Sequence, residues 1–306
     1  MNRIVAIVLF VLGLVLIILG VTKILPGAAT GGGGLCLLGA IMFGLSFIPV
    51  TPSGESDEPP MPAGERLTAI FYEPARVFRN LRVHPRWLAA FLVMAIAIVV
   101  FQIAFTQRIG AETIAAATID KVIESGFIPA DRAAEIRAQS VQAAKSFGAR
   151  LSSPINAVVG VYVFLCIFAG LYMLGVLISG ARIKFWQAFC VAVYAAMPAI
   201  LLQNLISLII LFVKSPDDID PIKGQRGLAH ADLGLLFTPA EHLYLYVLGT
   251  SISLFTLYSL WLTATGLHNA GEKVTKGTGW FIALVLWFLG VLLALGAAAL
   301  FPAFVT

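Results

Sequence analysis

Seven long segments of this chain lack Lys, Arg, Asp and Glu altogether: Ile4–Val21, Leu35–Val50, Trp87–Phe105, Ile155–Ile178, Trp186–Val213, Leu243–Leu267 and Trp280–Phe301. Charged residues make up only 12% of the chain, against about 25% in a soluble globular domain, so a water-soluble enzyme is excluded. Cysteine is scarce as well. Cys36, Cys166 and Cys190 all fall inside apolar segments without CxxC spacing, which rules out a disulfide or thiolate-metal framework and leaves them as small buried hydrophobes. No Asp, Glu, Lys, Arg or His stands within any of the seven segments, which argues against a proton- or ion-coupled pump with a titratable relay at mid-membrane.

Catalytic signatures are equally missing. The chain has no HExxH and no GxSxG, and the run Gly31–Gly34 lacks the Lys and Ser/Thr that a phosphate-binding loop requires. His230, Asp232, Glu241 and His242 are metal-capable residue types without a recognised ligand spacing. No catalytic residue, metal site or cofactor is therefore expected. The net charge of +4 is carried by basic residues beside apolar ends rather than in a nucleic-acid footprint, so nucleic acid is not an expected partner.

What is present is apolar length. Segments near 20 residues match a hydrocarbon core of about 30 Å, and continuous rather than alternating hydrophobicity selects helices over barrel strands. The expectation is an all-α, polytopic transmembrane bundle of about seven spans. Residues 1–50 should form a transmembrane hairpin turned at Lys23–Gly33, with Pro26 and the glycine run breaking the helix. Its first segment has 18 apolar residues, longer than a usual signal-peptide core, so retention is expected over cleavage. A Pro-rich acidic linker follows over 51–64. Beyond it, spans are predicted at 87–107, 155–178, 186–213, 243–267 and 279–302. Two extramembrane helices, Ala111–Glu124 and one from Pro129 to about Phe147, should occupy 108–152.

Residues 65–87 read differently. Leu67, Ile70, Phe71, Val77, Phe78 and Leu81 recur at three- and four-residue steps while arginines fill other faces, the pattern of an amphipathic segment at a membrane surface. Arg66, Arg76, Arg79, Arg82, Arg86 and the interfacial Trp87 are its candidate contacts with anionic lipid or a protein partner. An ordinary positive flank packed on the bundle would write the same pattern. A second candidate set is intramembrane and neutral: Asn156, Tyr194, Pro198, Gln203, Asn204, Ser253 and Thr256. These would either hydrogen-bond neighbouring helices or line a polar path used by a transporter or exporter component. Gly249 with Ser253, and Gly290 with Ala294 and Ala298, suit close helix packing within the chain or self-association.

The residues Phe71-Tyr72-Glu73-Pro74, Val77-Phe78, Pro85-Arg86-Trp87, Tyr194 with Pro198, and Trp261 with Gly266-Leu267 resemble, in that order, the bacterial branch of the Yip family, over roughly Glu65–Phe301. The resemblance implies a cytosolic segment before five helices, an external C-terminus, and no enzymatic activity. Eukaryotic members bind membrane-anchored small GTPases and take part in vesicle trafficking. This chain lacks their full acidic-aromatic cytosolic signature and carries an added N-terminal hairpin, so the expectation is a membrane-organising scaffold in a bacterial cytoplasmic membrane.

Independently, Arg76, Arg79, Arg82, Arg86, Arg182 and Lys184 flank short connections, which by the positive-inside bias puts the N-terminus in the cytoplasm and the C-terminus outside. Single cysteines at Ser53 and Thr306 should therefore label from opposite sides of the membrane. Labelling of both from one side would overturn the seven-span count.

Overall fold

A computed structural model describes residues 3–49, 59–125, 129–239 and 241–302. The predicted linker at 51–64 lies largely outside them. The first two helices, α1 (Arg3–Val21) and α2 (Ala28–Leu45), form the N-terminal hairpin. Two short helices, α3 (Ala63–Ala69) and α4 (Pro74–Val83), precede α5 (Leu88–Ile109). Then come α6 (Ala111–Glu124), α7 (Ala130–Ala144), α8 (Phe147–Ile178) and α9 (Phe185–Val213). After a long connection with three 3-10 turns, α10 (Leu243–Ser251), α11 (Leu254–Ala270) and α12 (Lys276–Leu300) complete the chain. Six helices among the described residues, α1, α2, α5, α8, α9 and α12, are long and apolar enough to cross a membrane. The protein is an all-α membrane bundle.

Three local expectations are corrected. Gly31–Gly34 do not break the hairpin; they lie inside α2, which starts after Gly27 in the left-handed region at φ 81°. Their missing side chains instead allow contact, since a Cβ on Gly32 would come within 2.7 Å of the Gly13 carbonyl and one on Gly31 within 2.7 Å of Ser152 Oγ. Secondly, α8 begins at Phe147 rather than 155 and runs through Pro154. A proline two turns into a helix deletes one backbone bond, and the docking of α8 on the hairpin offsets that loss. The Gly31 N–H donates to Ser152 Oγ at 3.0 Å, and the single proton of that hydroxyl is shared between the carbonyls of Gly27 and Gly148, both at 2.8 Å.

The third correction concerns the predicted span at 243–267, which is not continuous. It breaks at Ile252 and Ser253, whose extended backbones separate α10 from α11. The break carries consequences for the site described below.

Packing follows the hydrophobic pattern. Helix α2 lies on α1 and α8, α9 packs against α5, α8 and α11, and α12 closes on α11 and α10. At the centre, Trp87, Phe91, Tyr162 and Phe189 from α5, α8 and α9 meet edge-to-face or tilted, with centroids 5.2 to 5.9 Å apart. Such pairs add about 0.5–1.5 kcal/mol each beyond their burial. Hydrogen bonds sort the connections into two ends. At one, Trp186 Nε1 donates to the Ile48 carbonyl at 3.1 Å, Gln187 Nε2 to that of Arg82 at 2.7 Å, and Arg182 pairs backbone to backbone with Glu272. At the other, Arg108 Nη2 donates to the Lys214 carbonyl at 2.8 Å, and α6 and α7 are tied by Arg137 to Asp120 at 2.7 Å.

The glycine contact makes a sharp test. Gly32→Ala should lower the melting temperature in detergent, because backbone atoms of α1 must give way. Gly33→Ala, whose Cβ would meet nothing within 4 Å, should leave it unchanged or raise it slightly.

Candidate functional site

The amphipathic segment folds as two helices against one end of the bundle. Pro74 occupies the first turn of α4, where a missing N–H costs nothing, and Val77, Phe78 and Leu81 are fully buried under α11. Phe78 fills the space left by Gly266, whose Cβ would lie 3.0 Å from its ring. Asn80 pins the preceding chain by accepting from Met61 N–H at 3.1 Å and donating to the Pro59 carbonyl at 3.2 Å.

This packing sorts the six residues expected at the surface. Arg66 is 3% exposed, so it does not face the surface; its Nε and Nη1 have no hydrogen-bond partner. Trp87 is buried in the aromatic cluster rather than anchored at an interface. Arg76 is engaged by Glu65 at 2.8 Å and Glu73 at 3.4 Å, and hydrogen bonding to Glu73 foremost raises its pKa. Arg82 lies 3.8 Å from Glu272. Arg86 is exposed, and its backbone carbonyl accepts from the Tyr194 hydroxyl at 3.2 Å. Arg79 is the member that lines a cavity: about 410 Å³, shared with Lys276, His268, Asn269, Trp261 and Trp280. Its two cations come from α4 and the first residue of α12, and its two indoles from the middle of α11 and the first turns of α12.

The intramembrane candidates do not form one path. Asn156 faces Gly34 at the contact of α8 with α2. Tyr194 is fully buried and tied to the Arg86 carbonyl, Pro198 is buried within α9, and Asn204 donates to the Ile200 carbonyl of its own helix at 2.8 Å. Gln203, Ser253 and Thr256 do converge. They line a cavity of about 490 Å³ between α8, α9, α11 and α12.

That cavity contains two residues that lie outside the seven apolar segments of the sequence, His230 and Asp232. The connection after α9 does not stay outside; it folds back among the helices. Ser207 Oγ of α9 accepts from the N–H groups of Leu228 and Ala229 at 2.9 and 3.0 Å, and Gln102 of α5 donates to the Gln225 carbonyl at 3.1 Å. Residues Asp232 and Ser253 form a short antiparallel bridge, with Leu233 N–H donating to the Ile252 carbonyl and Leu254 N–H to that of Ala231. Trp287, about halfway along α12, donates from Nε1 to the Ser251 carbonyl at 3.2 Å. The break therefore lies near mid-depth, and Asp232 lies beside it. Its side chain is 11% exposed, with Oδ1 accepting from Gly234 N–H at 3.0 Å and Oδ2 3.5 Å from His230 Nδ1.

The expectation of no ionisable group at mid-membrane is thus corrected, because the carboxylate arrives from a connection rather than from a span. A signal did exist: His230 and Asp232 are the two polar residues in the otherwise apolar run from Gly227 to Phe237, and Gly249 permits a backbone approach that a Cβ would block, 2.7 Å from the Gly234 nitrogen.

The fold and these two sites define a polytopic helical membrane protein with two short helices packed ahead of its core. The Yip1 domain matches residues 68–298, and the chain belongs to that family. No curated protein and no solved structure matches the chain.

Ser253 caps α11 by accepting from Thr256 N–H at 3.0 Å. Ser253→Ala should cost about 1 kcal/mol, read as a lower melting temperature and faster hydrogen exchange at the first turn of α11. Unaltered exchange there would show that the cap does not hold the break.

Proposed function

We propose that this protein is a non-enzymatic, membrane-organising scaffold of a bacterial cytoplasmic membrane, with the α3–α4 end facing the cytoplasm, and that it engages anionic phospholipid there. The observation that carries the reading is the cavity at Arg79 and Lys276, framed by Trp261 and Trp280. Of the other arginines on α3 and α4, Arg76 pairs with two glutamates, Arg82 lies near Glu272, and Arg66 is buried. Arg79 and Lys276 supply the charge, and the indole rings suit the level of the headgroups. The orientation rests on the collection of Arg76, Arg79, Arg82, Arg86, Arg182 and Lys184 at this end. The transporter reading is weaker, because four of its seven polar candidates, Asn156, Tyr194, Pro198 and Asn204, are committed to separate packing contacts.

Each charge at such a surface contributes about 1 kcal/mol to holding anionic lipid. The double variant Arg79→Gln/Lys276→Gln should therefore weaken retention of phosphatidylglycerol by the detergent-solubilised protein about tenfold or more, measured by native mass spectrometry. Arg76→Gln should change it little, since Glu65 and Glu73 already oppose that charge. Equal losses from both variants, or none from the double one, would refute the assignment.

A further inference from the structure

The end of the bundle opposite the arginine segment holds a third cavity, of about 600 Å³, between the returning connection, α10 and the last turns of α12. Its lining divides by chemistry. Lys223 and Arg226 supply two cations, with Lys223 Nζ 6.0 Å from the centre of the Tyr246 ring. Asp232 supplies a carboxylate, which also lines the mid-depth cavity and so marks the deep side. One wall is the small-residue face of α12, where Ala294 and Ala297 line the cavity and are exposed on the flank of the helix. This wall is apolar, opposite the two cations.

A carboxylate kept near mid-depth is expensive, and such residues mark function by default. Its two local contacts leave the carboxylate with acceptor capacity, since an ionised carboxylate has about four lone-pair sites and the bonds from Gly234 N–H and toward His230 Nδ1 use two. The geometry points to an occupant that carries a phosphate, a cationic N–H donor a few bonds away, and an acyl chain. We propose that this cavity binds the headgroup of a phosphatidylethanolamine molecule from the adjoining leaflet. Its phosphate meets Arg226 and Lys223, its ammonium meets Asp232, and its acyl chain lies along Ala294 and Ala297. A choline headgroup has no N–H to donate to Asp232. A glycerol headgroup offers no cation, and a serine headgroup adds a carboxylate that Asp232 repels.

This proposal concerns the opposite end from the Arg79 cavity and does not depend on it. The test uses the full-length protein in detergent, titrated with phosphatidylethanolamine, phosphatidylcholine and phosphatidylglycerol of identical acyl chains and read by native mass spectrometry. The wild-type protein should retain phosphatidylethanolamine over phosphatidylcholine by about tenfold, the scale of one charge-assisted hydrogen bond. Asp232→Asn should erase that preference while keeping the oxygen that accepts from Gly234 N–H, so the fold and melting temperature are preserved. Arg226→Gln should weaken all three lipids at this site, and Arg79→Gln should leave the preference intact. Equal retention of phosphatidylethanolamine and phosphatidylcholine by the wild-type protein would overturn the proposal, as would an undiminished preference in Asp232→Asn. Free phosphoethanolamine that binds as well as the intact lipid would also overturn it, by showing that the alanine wall and the bilayer play no part.

Discussion

Every backbone N–H and C=O within the hydrocarbon must find a partner inside the protein, and this requirement governs the structure more than any single contact. Where the chain is helical the requirement meets itself. Where the helix breaks, at Ile252 and Ser253, it must be met from elsewhere, and the returning connection supplies the partners. The Leu233 N–H and the Ala231 carbonyl complete a two-residue bridge, Ser253 Oγ takes the Thr256 N–H, and Trp287 takes the Ser251 carbonyl. The broken helix and the infolded connection therefore imply each other. Neither would be stable in lipid without the other, and Asp232 reaches its depth because it belongs to the segment that does the repairing.

The opposite end is organised by charge rather than by backbone. Helices α3 and α4 carry more arginine than a packed interface can hold unpaired, and the fold deals with each differently. Glutamates oppose Arg76 and Arg82, burial takes Arg66, and Arg79 is directed into a cavity with Lys276. Exposed ion pairs of this kind contribute little to stability, on the order of 0–1 kcal/mol each. Their effect is to decide which positive charge is available to a headgroup. A buried guanidinium with two unpartnered nitrogens, as in Arg66, is destabilising in isolation, and the packing of α3 against α4 and α5 must offset it.

Much of the architecture was legible in advance because few alternatives exist for a charge-free run of about 20 residues in lipid. The element α6 was placed residue for residue, since Gly110 and the Ser125 turn bound an alanine-rich stretch. The amphipathic period of α3 and α4 was legible for the same kind of local reason, although it could not say which arginines would be covered. Glycine misled in one place: Gly31–Gly34 read as a helix breaker, yet within a bilayer small residues let α1, α2 and α8 approach, and that contact outweighs the low helix propensity of glycine.

By itself the amino-acid sequence determined the all-α class, the number and approximate limits of the apolar segments, the amphipathic period of residues 65–87 and the family. Each of these depends on composition and period along the chain. Tertiary structure alone decided that one segment is broken, that Asp232 lies beside the break, that Arg66 and Trp87 are buried, and that Gln203, Ser253 and Thr256 share a cavity while Asn156, Tyr194 and Asn204 do not. Those outcomes turn on hydrogen-bond and charge partners tens to more than a hundred residues apart. No local pattern encodes which distant group will satisfy a given polar atom, and in a membrane that satisfaction decides where a polar residue can go.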